Sequence, residues 1–195
     1  MDRPHIILFI AWVLYCVVHS VLAAGSVKRR LESLLGKYYK YYRFAYTVFA
    51  FLGLVAILLY QVNINSPLLF KGTLIVQIIA AAFASIGAAM VMLNIIKYFV
   101  QLSGVRWLFG SNVPGKLEQG GLHRIVRHPL YFSTFLFIWS LWVLYPYLSL
   151  LIANLVITIY TLIALKFEEA KLIAEFGDEY RQYQKTVPMI LPKLF

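Results

Sequence analysis

Of the 195 residues in this chain, 62% are apolar and only 13% charged, a balance that excludes an ordinary soluble domain and predicts an all-α integral membrane protein. The net charge of +10, from 18 Lys and Arg against 8 Asp and Glu, is read as orientation signal and attraction to an anionic lipid bilayer, with no nucleic-acid partner needed to explain it. A single cysteine excludes a disulfide within the chain.

A helix that crosses a bilayer takes about 20 mostly apolar residues. Five such spans are expected: His5–Ala24, Phe44–Gln61, Thr73–Phe99, Leu130–Leu148 and Ser149–Phe167. The first holds Cys16, read as packing or lipid-facing bulk, together with His5 and His19. Both histidines are expected to be satisfied by neighbouring helices, with His19-Ser20 left open as the lining of a substrate path. The basic cluster Lys28-Arg29-Arg30 follows this run instead of preceding it, the reverse of a signal peptide, so the run is expected to stay as an anchor. Between the first two spans lies the loop Gly25–Arg43. Six Lys and Arg sit in that loop and ten follow Ile96, so sixteen of the eighteen fall on one side. The positive-inside bias then predicts a multi-pass protein with its amino terminus outside and its carboxy terminus cytoplasmic. Tyr145-Pro146-Tyr147 must turn the chain between the last two spans, which makes them a tight helical hairpin. With no repeat, low-complexity tract or long linker, residues 1–195 are expected to form one domain.

The chemistry is left to the polar connector, about Val100 to Arg127, and to the tail after Phe167. The connector runs into the fourth span through "VPGKLEQGGLHRIVRHPLY". Pro129 suits the first turn of a helix, where the missing N–H costs nothing, and the free N–H groups there attract an anion. Arg127 can fork onto a carboxylate or phosphate, and His128 can add a hydrogen bond. The alternative is that Arg124 and Arg127 are anchors reaching for lipid headgroups. At the inner end of the fifth span, Glu168 and Glu169 are adjacent, so on a helix they point about 100° apart and at most one faces the bundle. A carboxylate at the edge of the hydrocarbon either functions or is paired, here with Lys166, Lys171 or an arginine. Leu172, Phe176, Tyr180 and Tyr183 recur at helical spacing, with Gly177 as a joint, and predict an amphipathic carboxy-terminal helix. Its aromatic stripe is read as packing or as a wall for an adenine ring. There is no G-x-G-x-x-G, P-loop or G-x-S-x-G, and His5, His19, His123 and His128 lack metal-site spacing and partners, so no metal is expected.

At these two places the sequence resembles the isoprenylcysteine carboxyl methyltransferase and phospholipid methyltransferase superfamily, membrane-embedded enzymes that use S-adenosylmethionine. The matching stretch "GLHRIVRHPLY", Gly121 to Tyr131, fits a pattern of Gly, an aromatic two residues on, then Arg-His-Pro-x-Tyr. The second match is Glu168-Glu169, then Leu172, Phe176-Gly177, Tyr180, Tyr183, Val187-Pro188 and Pro192. The short length and "HSVLA" and "KYYRFAY" are similar to bacterial-type members, some of which act on small thiols. The resemblance implies a cofactor half over about residues 112–195. In it Gly115, Lys116, Leu117, Glu118, His123, His128, Pro129, Leu130, Tyr131 and Glu168 would bind the cofactor, and Arg127 and Glu168 would be the catalytic pair. Glu168 would hold the ammonium of the methionine moiety, while the Arg127/His128 helix entrance attracts its carboxylate.

The implied activity is methyl transfer to an apolar or small acceptor, most plausibly a thiol. Three departures bear on it: His123 stands for a tyrosine, Ser133 for a glycine, and Ala164 for the arginine that meets the substrate carboxylate in the prenylcysteine enzyme. The alternatives are carboxyl methylation of a prenylated cysteine, N-methylation of a phospholipid, and an NADPH-dependent sterol-type reductase. The reductases carry Arg-His-x-Asn-Tyr where this chain has Arg-His-Pro-Leu-Tyr. A non-enzymatic membrane scaffold is the remaining class.

Overall fold

The computed structural model describes residues 2–102 and 117–193, and among them are seven α-helices and no β-strand. In chain order they are α1 (Arg3–Ala23), α2 (Gly25–Leu35), α3 (Tyr42–Asn63), α4 (Leu74–Leu102), α5 (Pro129–Leu144), α6 (Leu148–Phe176) and α7 (Asp178–Thr186). Four of these, α1, α3, α4 and α6, are long and apolar enough to cross a membrane, while α5 is as apolar but has only 16 residues. The protein is a helical membrane protein.

Four boundaries differ from the sequence expectation. The loop Gly25–Arg43 contains α2 and a 3-10 turn, Gly36–Tyr41. Val27, Leu31 and Leu34 share one side of α2, and Leu34 is 79% exposed. Val27 and Leu31 are half-buried, while Leu34 stands out beside the exposed Arg29 and Arg30, an amphipathic pattern that suits a helix lying in a membrane surface. The third span, expected over Thr73–Phe99, runs as α4 to Leu102. The fourth, expected to reach Leu148, stops at Leu144, because Pro146 lacks the N–H to continue it and biases the residue before it away from helix. The fifth, expected to end at Phe167, continues as α6 to Phe176. It ends at Gly177, whose φ of +58° is the left-handed conformation that glycine adopts without strain, and α7 starts in a new direction.

The described residues form two compact units, the first holding α1 to α3 and the start of α6, the second most of α4, α5, the rest of α6 and α7. In the first, neutral polar groups tie apolar helices together. Trp12 donates to Gln61 Oε1 at 3.0 Å, Tyr15 to the Ala50 carbonyl at 3.0 Å and Tyr60 to the Pro4 carbonyl at 3.2 Å. His19 lies 2.9 Å from the Tyr46 hydroxyl, and His5 Nε2 lies 3.1 Å from Ser66 Oγ. In the second, α4 and α5 approach closely at Gly87, where an added Cβ would lie 2.6 Å from the Phe137 backbone nitrogen. Trp139 of α5 donates to Thr158 of α6 at 3.1 Å. Tyr180, Tyr183 and Val187 form a buried cluster with Leu117, Leu172, Ile173 and Phe176 packed against it. The aromatic stripe of the tail is thus packing.

Candidate functional site

Pro129 is the first residue of α5, and the N–H groups of Leu130 and Tyr131 behind it have no acceptor within the helix. Just before it the backbone is pinned from the side. Arg127 N–H donates to the Pro188 carbonyl at 2.8 Å and His128 N–H to the Met189 carbonyl at 3.1 Å, so the segment after α7 lies along the entrance to α5.

The side chains of Arg127 and His128 meet α6 at Glu168 and Glu169, and these two carboxylates are used differently. Onto Glu169 Oε1 converge Arg127 Nε at 2.8 Å, Arg127 Nη2 at 2.5 Å, His128 Nε2 at 3.3 Å and the Tyr180 hydroxyl at 3.3 Å. Gln184 Nε2 donates to Oε2 at 3.0 Å. Its side chain is 15% exposed, against 43% for Glu168. Glu168 accepts a hydrogen bond from the Tyr131 hydroxyl at 3.0 Å and faces His128 Nδ1 at 4.0 Å. A carboxylate offers about four lone-pair sites. Glu169 accepts five protein donors, four of them at Oε1, whereas Glu168 accepts one and keeps more capacity for a ligand.

Burial holds the His128 imidazole below its ordinary pKa, against the opposing pull of Glu168 and Glu169, so the ring is neutral at pH 7. Its contact with Glu169 is therefore a hydrogen bond from a neutral ring, not an ion pair. A neutral ring has one N–H, and of the two carboxylates only Glu169 is within hydrogen-bond reach, so the geometry favours that proton on Nε2, with Nδ1 left as an acceptor turned toward Glu168. The Tyr180 hydroxyl is raised above its ordinary pKa by burial and by Glu169, and stays a donor.

Of the sequence candidates, Arg127, His128, Tyr131 and Glu168 come together, with Pro129 and Leu130 forming the first turn beneath them. The guanidinium of Arg127, expected to fork onto a ligand anion, forks onto Glu169, and its Nη1 donates to the Val187 and Gln184 carbonyls at 2.5 and 3.2 Å. Leu117 packs against the Tyr180 cluster, Glu118 accepts from Gly120 N–H at 3.2 Å, and the His123 carbonyl accepts from Tyr183 at 2.5 Å. Gly115 and Lys116 lie outside the described residues, as does about half of the connector. Glu169 and Gln184 were not among the candidates. The spacing of Tyr180 and Gln184, one turn apart on α7, was the available signal. Among the described residues no group of His, Cys, Asp and Glu is placed to hold a metal.

Residues 75–179 match the family described as phospholipid methyltransferase. The chain is 29% identical over 188 residues to a methanethiol S-methyltransferase of Crocosphaera subtropica, a match covering 92% of this chain and 71% of that one. It is 30% identical over 195 residues to methanethiol S-methyltransferase 1 of Bradyrhizobium diazoefficiens, covering 96% and 66% of the two chains. Over 84 residues it is 39% identical to the protein-S-isoprenylcysteine O-methyltransferase of Schizosaccharomyces pombe, covering 39% and 33%. The chain thus spans about two thirds of the length of the second methanethiol relative. No solved structure matches.

Proposed function

We propose that this chain, a membrane methyltransferase that belongs to the phospholipid methyltransferase family, moves a methyl group from S-adenosylmethionine to a small thiol. The observation that carries the choice of donor is the acceptor-rich face made by Glu168 and His128 Nδ1. Two acceptors 4.0 Å apart, one of them charged and partly exposed, call for a cation with several N–H groups, and a primary ammonium has three. The chemistry of this donor set fits the amino acid end of S-adenosylmethionine. Glu168 and His128 would hold its ammonium, Tyr131 would keep the Glu168 carboxylate aimed, and the N–H groups of Leu130 and Tyr131 at the start of α5 would attract its carboxylate.

Bound there, the cofactor supplies a methyl carbon already activated by its positively charged sulfur. What remains for the protein is to align the acceptor and exclude water. A thiolate needs little acid or base help, and a small apolar thiol can arrive from the lipid. The prenylcysteine carboxylate needs a bidentate cation, and here Ala164 offers none while Arg127 is engaged by Glu169. The names of the two longer relatives support the thiol. The topology that fits this reading has the amino terminus outside and the site on the cytoplasmic side, where the cofactor is made.

Calorimetric titration of the detergent-solubilised protein with S-adenosylmethionine and with NADPH tests the donor. Turnover of labelled S-adenosylmethionine against small thiols, a farnesylcysteine analogue and aminophospholipids tests the acceptor. Faster methylation of the farnesylcysteine analogue than of any thiol would overturn the proposed acceptor.

A further inference from the structure

Glu169 accepts five protein donors, yet it touches the one side chain, His128, whose far nitrogen faces the open carboxylate. We infer that Glu169 is a positioning residue: by accepting the proton of His128 Nε2 it keeps Nδ1 bare toward Glu168, and by clasping Arg127 it ties the carboxy-terminal segment Gln184–Met189 across the start of α5. The inference rests on the proposed function only for what binds at Glu168.

The geometry leaves the imidazole little choice. His128 is buried between two carboxylates, and only Glu169, 3.3 Å from Nε2, is within hydrogen-bond reach, Glu168 being 4.0 Å from Nδ1; the alternative tautomer would give up that bond, set a bare nitrogen against Glu169 and turn an N–H toward Glu168. That N–H would occupy a lone pair of Glu168 and compete with an incoming ammonium. Glu169 therefore decides whether the open face consists of acceptors or has already partnered itself. The same carboxylate orients Arg127, whose Nη1 holds the Val187 and Gln184 carbonyls while its backbone N–H holds Pro188. Gln184 closes the loop by donating from α7 back to Glu169 Oε2. The tail and the ring are thus governed by one side chain whose bonds are all to the protein.

The test compares wild type, Glu168→Gln, Glu169→Gln and Glu169→Asp, each carrying 15N-labelled histidine, with the His128 signals identified by their loss in His128→Asn. The nitrogen shifts report which ring nitrogen bears the proton, and calorimetry reports the dissociation constant for S-adenosylmethionine. Wild type should show a single tautomer protonated at Nε2, and the cofactor should shift the Nδ1 signal while leaving Nε2 in place. Glu169→Gln should populate the second tautomer and weaken binding about 3- to 10-fold, with Glu169→Asp recovering both. Glu168→Gln should weaken binding without changing the tautomer. An Nδ1-protonated ring in wild type sinks the inference, and so does a Glu169→Gln protein that binds weakly with its tautomer intact, since the ring would then not be the route by which Glu169 acts. Should Glu169→Gln fail to fold, the wild-type shifts with and without cofactor decide. Absence of binding by wild type would count against the proposed function, and the tautomers would still judge the role of Glu169.

Discussion

In the unit built on α1 to α3 the bonds between helices join neutral groups, Trp12 to Gln61 and Tyr46 to His19, whereas in the carboxy-terminal unit a guanidinium, an imidazole, a phenol and an amide converge on one carboxylate. Both arrangements bury polar atoms, but their energetics differ. A neutral side-chain pair between membrane helices averages about 0.6 kcal/mol, enough to select a register and too little to matter greatly if lost. A desolvated ion pair gains little net stability as a pair, yet removing one member leaves a buried charge uncompensated. The charged cluster is therefore costly to disturb although it adds little net stability, and it lies beside the partly exposed Glu168.

The largest effect should come from breaking that cluster. Arg127→Leu strands the Glu169 carboxylate and should cost about 3–5 kcal/mol of stability, read as a fall in the thermal or denaturant midpoint in detergent. Glu168→Gln should instead spare stability and weaken S-adenosylmethionine binding by about 1.5–3 kcal/mol, the range for a hydrogen bond to a charged group. Equal loss of stability in the two variants would erase the distinction between the carboxylates. Gly87→Ala disturbs the same unit through packing alone, because its new methyl group meets the Phe137 backbone; about 1–3 kcal/mol of destabilisation is expected, with cofactor affinity kept. Smallest of all should be Gln61→Leu in the first unit, about 0.6 kcal/mol and below 1.7. A loss there as large as that of Arg127→Leu would mean that the neutral bonds carry more than register.

Hydropathy alone located the long helices, because the need for apolar side chains through the whole thickness of a bilayer leaves a signal that packing does not change. The two clusters, Arg127-His128 and Glu168-Glu169, were legible too, one at a helix entrance and one at a helix end, although Arg127 was expected to fork onto a ligand and not onto Glu169. Which of the two glutamates stays open was not legible from helix geometry, because adjacent residues exchange roles with a small rotation and what sets the rotation of α6 lies elsewhere in the chain; Glu168 was expected on the resemblance alone. The carbonyls of Gln184, Val187, Pro188 and Met189 were invisible for a different reason: backbone acceptors are common to all residues and leave no mark in composition. Helix α2 escaped notice because eleven residues with a single apolar side are too few to stand out from a basic loop.

The early stop of α5 has a consequence for the bilayer itself. At 16 residues the helix is about 24 Å long, while the hydrocarbon core is about 30 Å thick. Lipids around it must thin or flanking side chains must reach outward to close the mismatch. Since His128 and Tyr131 stand at one end of this short helix, thinning there would bring the polar site down toward the acyl chains. A volatile, oil-soluble thiol would then meet its methyl donor at the floor of the depression, without first partitioning out into water.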